Sequence, residues 1–232
     1  PRWSPDGRTI AFISNREGDM QVFVADPDGG NVKQVTKVAG GVQPPMVFSP
    51  DSSLLAFVAD VKTGADTPAN VHVLTRLLYR HWDEWRENVR HHVFVVPTSG
   101  PAGGGLENTA KDLTPGDFDS PPTQQEDAAI VFTPDSRELV FVSNRDGNDK
   151  EAWSTNNDVW SVPVSGGTPK KLTANPAADV QPVFTRDGKY MIVRAQRRPM
   201  FESDRWYLDV YDRATGTKRT LMESTDLSVG DF

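Results

Sequence analysis

One short phrase occurs four times along the 232 residues: an aromatic residue, Ser or Thr, Pro, and Asp. The copies are Trp3-Ser4-Pro5-Asp6-Gly7, Phe48-Ser49-Pro50-Asp51-Ser52, Phe132-Thr133-Pro134-Asp135-Ser136 and Phe184-Thr185-Arg186-Asp187-Gly188, with Arg replacing Pro in the last. Pro presets the backbone for the first central position of a turn, Asp accepts from nearby amides, and Gly or Ser tolerates the tight reversal. Each copy is therefore expected to turn one strand back onto the next. The segments that follow, Thr9–Ser14, Leu54–Ala59, Glu138–Ser143 and Lys189–Arg194, are β-branched and aromatic over about six residues, which favours strand over helix.

A third strand is expected in each unit at Gln21–Asp26, His92–Val96, Asp158–Val162 and Trp206–Tyr211. A polar turn then leads to a short fourth strand at Val35–Thr36, Leu113–Thr114, Leu172–Thr173 and Thr220–Leu221. Four strands per unit make a propeller blade. The fold is thus read as all-β, a β-propeller with blades at about 1–42, 43–120, 121–179 and 180–232. The chain starts on one innermost strand and ends, at Ser228–Phe232, where another is due. Four blades are then an arc of a seven- or eight-bladed propeller, with a closed four-bladed ring as the alternative. The opening Pro1-Arg2-Trp3-Ser4 is neither a signal peptide nor an initiator methionine, which suggests a piece of a longer protein.

The turn aspartates Asp6, Asp51, Asp135 and Asp187 are separated by 45, 84 and 52 residues. No fifth turn phrase fills the long interval, so the excess is read as an insertion at 61–91 between the second and third strands of blade two. A second insertion, 144–157, interrupts blade three at the same point. Loops at equivalent points of neighbouring blades emerge on one side of the disc and can build a joint surface.

Composition narrows the chemistry. With 25 Lys and Arg against 32 Asp and Glu, the formal charge is −7, which opposes a nucleic-acid partner held through its phosphates. No apolar stretch is long enough to span a membrane. The absence of cysteine removes disulfides, thiolate metal sites and cysteine nucleophiles. No Gly-x-Ser-x-Gly elbow occurs, and Gly103-Gly104-Gly105 sits in a Pro- and Gly-rich loop rather than between a strand and a helix. The four histidines, His72, His81, His91 and His92, cluster around the first insertion, but His91 and His92 would face opposite sides of a strand, so no metal is expected. Asp26–Gly29 and Asn144–Asp149 have some features of calcium loops yet no bidentate Glu in register, and ordinary turns are the better reading. No cofactor is implied. A propeller glycosidase would need two carboxylates facing a central pocket, whereas the carboxylates here fall mostly in repeated turns.

The insertions remain. Val71–Glu87 interleaves two tryptophans and a tyrosine with arginines and carboxylates, a mixture suited either to recognition or to a salt-bridged flap packed on the rim. The second carries Asp149-Lys150-Glu151-Ala152-Trp153-Ser154-Thr155-Asn156-Asn157.

The Ser-Pro-Asp-Gly phrases, with turns such as Asp26-Pro27-Asp28-Gly29-Gly30, resemble the propeller repeats of TolB and of the prolyl oligopeptidase family of serine peptidases. Thr75–Trp82, His92–Val96 and Glu151–Asn156 are similar to the propeller of the bacterial dipeptidyl-peptidase-5 and acylaminoacyl-peptidase branch, and the resemblance covers essentially the whole chain. It implies a propeller that caps an α/β-hydrolase domain of the same parent chain carrying Ser, Asp and His, none of which domain lies in these residues. The implied role is gating and selection of short peptides, with the substrate's amino terminus held by carboxylates. Asp83, Glu84 and Glu151 are the candidate acids, and Tyr79, Arg80, Trp82 and Trp153 the candidate walls. Asp83 and Glu84 could instead pair with Arg80 or Arg86. The resemblance favours the periplasm or secretion, with the cytoplasm and a homo-oligomer left open. The rival reading is a TolB-like protein-interaction propeller with no enzymatic domain.

Overall fold

A computed structural model describes all but residues 65–70, 75, 76, 78, 87, 100–109, 123–128, 148, 149 and 231, and only the backbone of His81 and Glu84. Thr75, Arg76, the triple glycine at 103–105, Asn148 and Asp149 lie outside the described residues.

The architecture is four four-stranded antiparallel sheets. The first contains β1 (Arg2–Trp3), β2 (Ile10–Ser14), β3 (Gln21–Ala25) and β4 (Lys33–Gln34) in that order. The second runs β5 (Gln43–Phe48), β6 (Leu54–Lys62), β9 (Val89–Pro97) and β10 (Lys111–Asp112), with a separate hairpin of β7 (Arg80–His81) and β8 (Glu84–Trp85) between β6 and β9. The third is β11 (Ile130–Phe132), β12 (Glu138–Ser143), β13 (Asp158–Pro163) and β14 (Lys170–Lys171). The fourth is β15 (Asp179–Phe184), β16 (Tyr190–Ala195), β17 (Tyr207–Asp212) and β18 (Lys218–Leu221). The first strands pack in chain order, β1 beside β5, β5 beside β11 and β11 beside β15. Consecutive sheets thus share an inner edge, as blades of a propeller do.

The period of two explains why these segments become strands. On β6, Leu55 and Phe57 pack with Val22, Val24 and Met46 toward blade one, whereas Ala56 joins Leu139, Phe141 and Ile130 toward blade three. On β12, Leu139 and Phe141 face blade two while Val140 packs with Val159, Met191 and Val193 toward blade four. A middle blade is covered on both faces, so its central strands are apolar at every position rather than alternating with polar residues.

The turn phrase is one device built four times. The hydroxyls of Ser4, Ser49, Thr133 and Thr185 donate to Asp6, Asp51, Asp135 and Asp187 at 2.6, 2.6, 2.7 and 2.6 Å. Those same hydroxyls accept from the backbone N–H of Thr9, Leu54, Glu138 and Tyr190, which fixes the start of the second strand.

The fourth strands of the first three blades lie two residues upstream of the expected positions. The ladder is made by Lys33–Gln34, Lys111–Asp112 and Lys170–Lys171. The Thr of the apolar-Thr pair that follows each is buried for another reason: the hydroxyls of Thr36, Thr114 and Thr173 accept from the N–H of Val22, Val93 and Val159 at 2.8, 2.9 and 3.0 Å. A side chain there does the work of a strand carbonyl, so the apolar signal outlasts the strand.

Candidate functional site

In a blade of four antiparallel strands, the second-to-third loop and the connection to the next blade lie at the same end, opposite the Ser-Pro-Asp turns. Both insertions are second-to-third loops and so belong to one face. Each blade places an exposed large apolar side chain there: Met20, Trp82, Trp153 and Met200, at 49%, 83%, 65% and 68% exposure.

The first insertion is built around the β7–β8 hairpin, in which Arg80 pairs with Trp85 and His81 with Glu84. Trp82 and Asp83 form its two-residue tip, with Trp82 in the left-handed region at φ 47°. The N–H of Arg86 donates to the carbonyl of half-buried Tyr79 at 2.7 Å, closing the hairpin. Trp85 stacks on His72 with centroids 3.8 Å apart and on Tyr79 at 6.2 Å. Asp83 and Arg80 are exposed, and Glu84 is placed by its backbone beside the tip. In the second insertion, Glu151 and Trp153 share a single 3-10 turn; Glu151 is half-buried and Trp153 is exposed. The expected acids therefore occupy two loops of one face, Asp83 and Glu84 on the hairpin and Glu151 on its neighbour.

Arg86 is not a partner of the hairpin acids in the described hydrogen bonds; it turns inward. Its Nη2 donates to Asp119 Oδ1 at 2.9 Å and its Nη1 lies 3.5 Å from Asp60 Oδ1 and 3.2 Å from His91 Nε2. The Asp119 carboxylate also accepts from the N–H of His91 at 2.7 Å. Burial, reinforced by the Arg86 charge, pushes the His91 imidazole below its ordinary value. A neutral ring fits the contacts, with Nδ1–H donating to the Pro121 carbonyl at 3.2 Å and Nε2 accepting from Arg86. His92, on the opposite side of β9, behaves differently: burial pulls it down, but Asp112, 2.7 Å from Nδ1, and the Gly116 carbonyl, 2.9 Å from Nε2, leave it raised overall. Among the described residues no group of three or more His, Asp or Glu is arranged to hold a metal ion, and no helix is long and apolar enough to cross a membrane.

The loops are tied sideways across blades. Ser143 Oγ donates to the Asp119 carbonyl at 2.7 Å, joining the base of the second insertion to the segment that anchors the first. Asp146 accepts from Ser154 Oγ at 2.6 Å and Asn156 Nδ2 at 2.9 Å, folding the second insertion on itself. The N–H of Met200 donates to Thr155 Oγ1 at 2.9 Å, which adds the loop of blade four. Sequence pattern reveals the insertions but not these ties, because Arg86 and Asp119 are 33 residues apart and nothing local marks them as partners.

No family model matches the chain. It is 33% identical over 215 residues to dipeptidyl-peptidase 5 of Porphyromonas endodontalis, which takes in 88% of this chain and 30% of that protein. It is 32% identical over 236 residues to dipeptidyl-peptidase 5 of Porphyromonas gingivalis, covering 97% of this chain and 34% of the relative. The chain thus spans about a third of the length of these relatives. Among solved structures, acylaminoacyl peptidase of Pyrococcus horikoshii superposes over 100% of this chain and 33% of its own, with a TM-score of 0.69 at 17% identity. TolB of Acinetobacter baumannii does so over 94% of this chain and 42% of its own, at 0.54 and 17%. These two likenesses show the fold, and the sequence relatives carry the kinship: the chain is a β-propeller of the dipeptidyl-peptidase-5 family.

Proposed function

We propose that this propeller is the substrate-selecting part of a serine peptidase acting on short peptides, with an α/β-hydrolase domain of the same parent chain supplying the nucleophile. The observation that carries the reading is the 33% identity to dipeptidyl-peptidase 5, which extends over 88% of the chain rather than over the turn repeats alone. The loop face supports it physically. Carboxylates beside exposed aromatic rings suit a peptide ammonium, since a charge-assisted hydrogen bond holds the charge and the ring walls reduce competing hydration. Asp83, Glu84 and Glu151 are the acids for that amine, with Tyr79, Arg80, Trp82 and Trp153 around them. The disc itself excludes folded proteins and admits short chains.

The test is peptidase activity of the protein, continued to the end of its reading frame, on dipeptidyl, aminopeptidase and acyl-amino-acid substrates, with a serine-reactive phosphonate as control. Inhibitor-sensitive release of dipeptides is expected, and none from residues 1–232 by themselves. Asp83→Ala, Glu84→Ala and Glu151→Ala, made singly, should raise KM for free-amine substrates, by about tenfold for an acid that contacts the ammonium. Unchanged kinetics in all three would remove them from the site. No activity on any substrate would move the assignment to an interaction propeller of the TolB kind.

A further inference from the structure

A second phrase repeats at the ends of the second strands. Ser14-Asn15-Arg16-Glu17-Gly18 follows β2, and Ser143-Asn144-Arg145-Asp146-Gly147 follows β12. Both arginines lie over aromatic rings. Arg16 sits 5.1 and 5.0 Å from the centroids of Phe12 and Phe23. Arg145 is walled by three rings, Phe118, Phe141 and Trp160, at 5.2, 5.4 and 4.9 Å.

The two environments differ in access to water. Arg16 is exposed, so solvent satisfies it. Arg145 is half-buried, and burial alone pulls its guanidinium down to about 10. No carboxylate compensates it among the described residues. Asp146, its chain neighbour, is occupied by Ser154 and Asn156, while Asp119 is held by Arg86 and the N–H of His91. Asp117 accepts from Arg90 Nε at 2.9 Å. What Arg145 does contact is two hydroxyls at long range: Nε donates to Ser143 Oγ at 3.3 Å and Nη2 to Ser120 Oγ at 3.4 Å. Nη1 has no hydrogen-bond partner among the described residues. Ring faces offset part of the lost hydration of a guanidinium, by about 0.5–2 kcal/mol, but they cannot accept its in-plane N–H groups as oxygen does.

A planar cation held between rings, part-dehydrated and with N–H donors to spare, is suited to an anion with two coplanar oxygens. We propose that Arg145 and its aromatic walls form a carboxylate-binding site on the loop face, filled by the carboxylate of a peptide, either terminal or on an acidic side chain. The site lies at the base of the second insertion, joined through Ser143 and Asp119 to the anchor of the first. Its ligand identity deepens the peptide-selecting role and rests on it; the carboxylate chemistry does not, and can be read without hydrolysis.

The test is carboxylate titration of the protein, followed by the indole resonance of Trp160, whose Nε1 donates to the Ser143 carbonyl at 3.2 Å within the site. Trp160→Phe assigns that resonance. Acetate should shift it saturably, where chloride at the same ionic strength does not. N-acetylglycine probes a terminal carboxylate and an acetylated, amidated aspartate a side-chain one, with N-acetylglycinamide as the uncharged control. Arg145→Gln should weaken acetate binding by about tenfold or more, while Arg16→Gln leaves it intact. Arg145→Lys keeps a cation in the cage but loses the planar fork, so a folded variant with weaker binding is expected even if Arg145→Gln is unstable. Absence of a saturable shift with acetate in the unaltered protein, or a shift that survives both Arg145 substitutions unchanged, overturns the site. Acetate binding without peptidase activity would keep the site and discard the peptidase reading; peptidase activity without acetate binding would do the reverse.

Discussion

Ser52 Oγ accepts a hydrogen bond from the backbone N–H of Asp6, 46 residues earlier, at 3.2 Å, and Ser136 Oγ repeats the contact with Asp51 at 3.2 Å. The fifth position of the turn phrase is left-handed in all four copies, with φ of 70° at Gly7, 63° at Ser52, 59° at Ser136 and 69° at Gly188. Glycine occupies that region freely, whereas a serine is strained there by about 1 kcal/mol. In blades two and three the strained residue is thus also the one whose hydroxyl reaches the preceding blade. Ser136→Ala, which keeps the strain and loses the bond, should therefore destabilise the protein by about 1 kcal/mol, and Ser136→Gly should be close to neutral. Urea unfolding of the two variants decides it: a Ser136→Ala midpoint equal to that of the unaltered protein would show that the inter-blade bond contributes nothing, and equal losses in the two variants would show that glycine relieves no strain there.

Acid should weaken all four turns together. Hydroxyl donors first, and backbone N–H groups second, hold Asp6, Asp51 and Asp187 below the ordinary value of 3.8, and the Thr133 hydroxyl leads the same effect at Asp135. A carboxylate with a depressed folded pKa contributes stability that is present above the unfolded value and lost as pH falls through the folded one. Urea midpoints should hence drop as pH falls below about 4. The fourfold substitution to Asn should flatten that drop, and a midpoint in the unaltered protein that stays constant from about pH 4 to pH 2 would contradict the assignment.

The turns are legible in the sequence because a propeller repeats its chemistry locally: Ser49, Asp51 and Leu54 satisfy one another within six residues. The fourth strands are displaced from their expected places because Thr36, Thr114 and Thr173 look like strand residues and are buried like them, but they act through a hydroxyl. The insertions are legible as interruptions of the period, while their contents are not. Neither the β7–β8 hairpin nor the inward turn of Arg86 follows from a pattern, since Arg86 meets Asp60, His91 and Asp119 only after blade two has closed. Arg145 has a local signal, the recurrence of Ser-Asn-Arg at residues 14–16 and 143–145; its difference from Arg16 lies in Phe118 and Ser120, which arrive from the previous blade's connection.

Asp179 should make the protein more stable as pH falls from neutrality. It is fully buried where β15 begins, and burial pushes its carboxyl up to about 6, with Asn175 and Thr173 opposing and Asp158 and Asp209 reinforcing the rise. Arg197 and Lys218 are committed to Asp209, and Lys171 pairs with Asp158. Asp179 Oδ2 has no hydrogen-bond partner among the described residues. A carboxyl raised in the folded state costs nothing below the unfolded value of 3.8, and its full penalty appears only above the folded value. That penalty is about 3 kcal/mol near pH 7.5. Asp179→Asn should remove the gain in stability on going from about pH 7.5 to pH 5, read from unfolding midpoints. An unchanged pH profile in the variant would place the titration elsewhere.

Arg86 should be the most costly side chain of the first insertion to remove. Its guanidinium is 6% exposed and its partner Asp119 12%, so truncation leaves a nearly buried carboxylate facing Asp60 without its main counter-charge. Loss of one member of a buried pair costs about 3–5 kcal/mol. Arg86→Met keeps the volume of the stem and isolates the charge. It should lower stability by that order and, because Arg86 helps hold His91 below its ordinary value, allow the imidazole to bind its proton at higher pH. The shift separates an electrostatic role from packing: burial still opposes protonation in the variant, but the Coulomb opposition is gone while Asp60 and Asp119 remain. Proton NMR titration of His91 in both proteins tests this, and an unmoved or lowered His91 pKa in Arg86→Met would mean that the network holds the insertion by shape and not by charge.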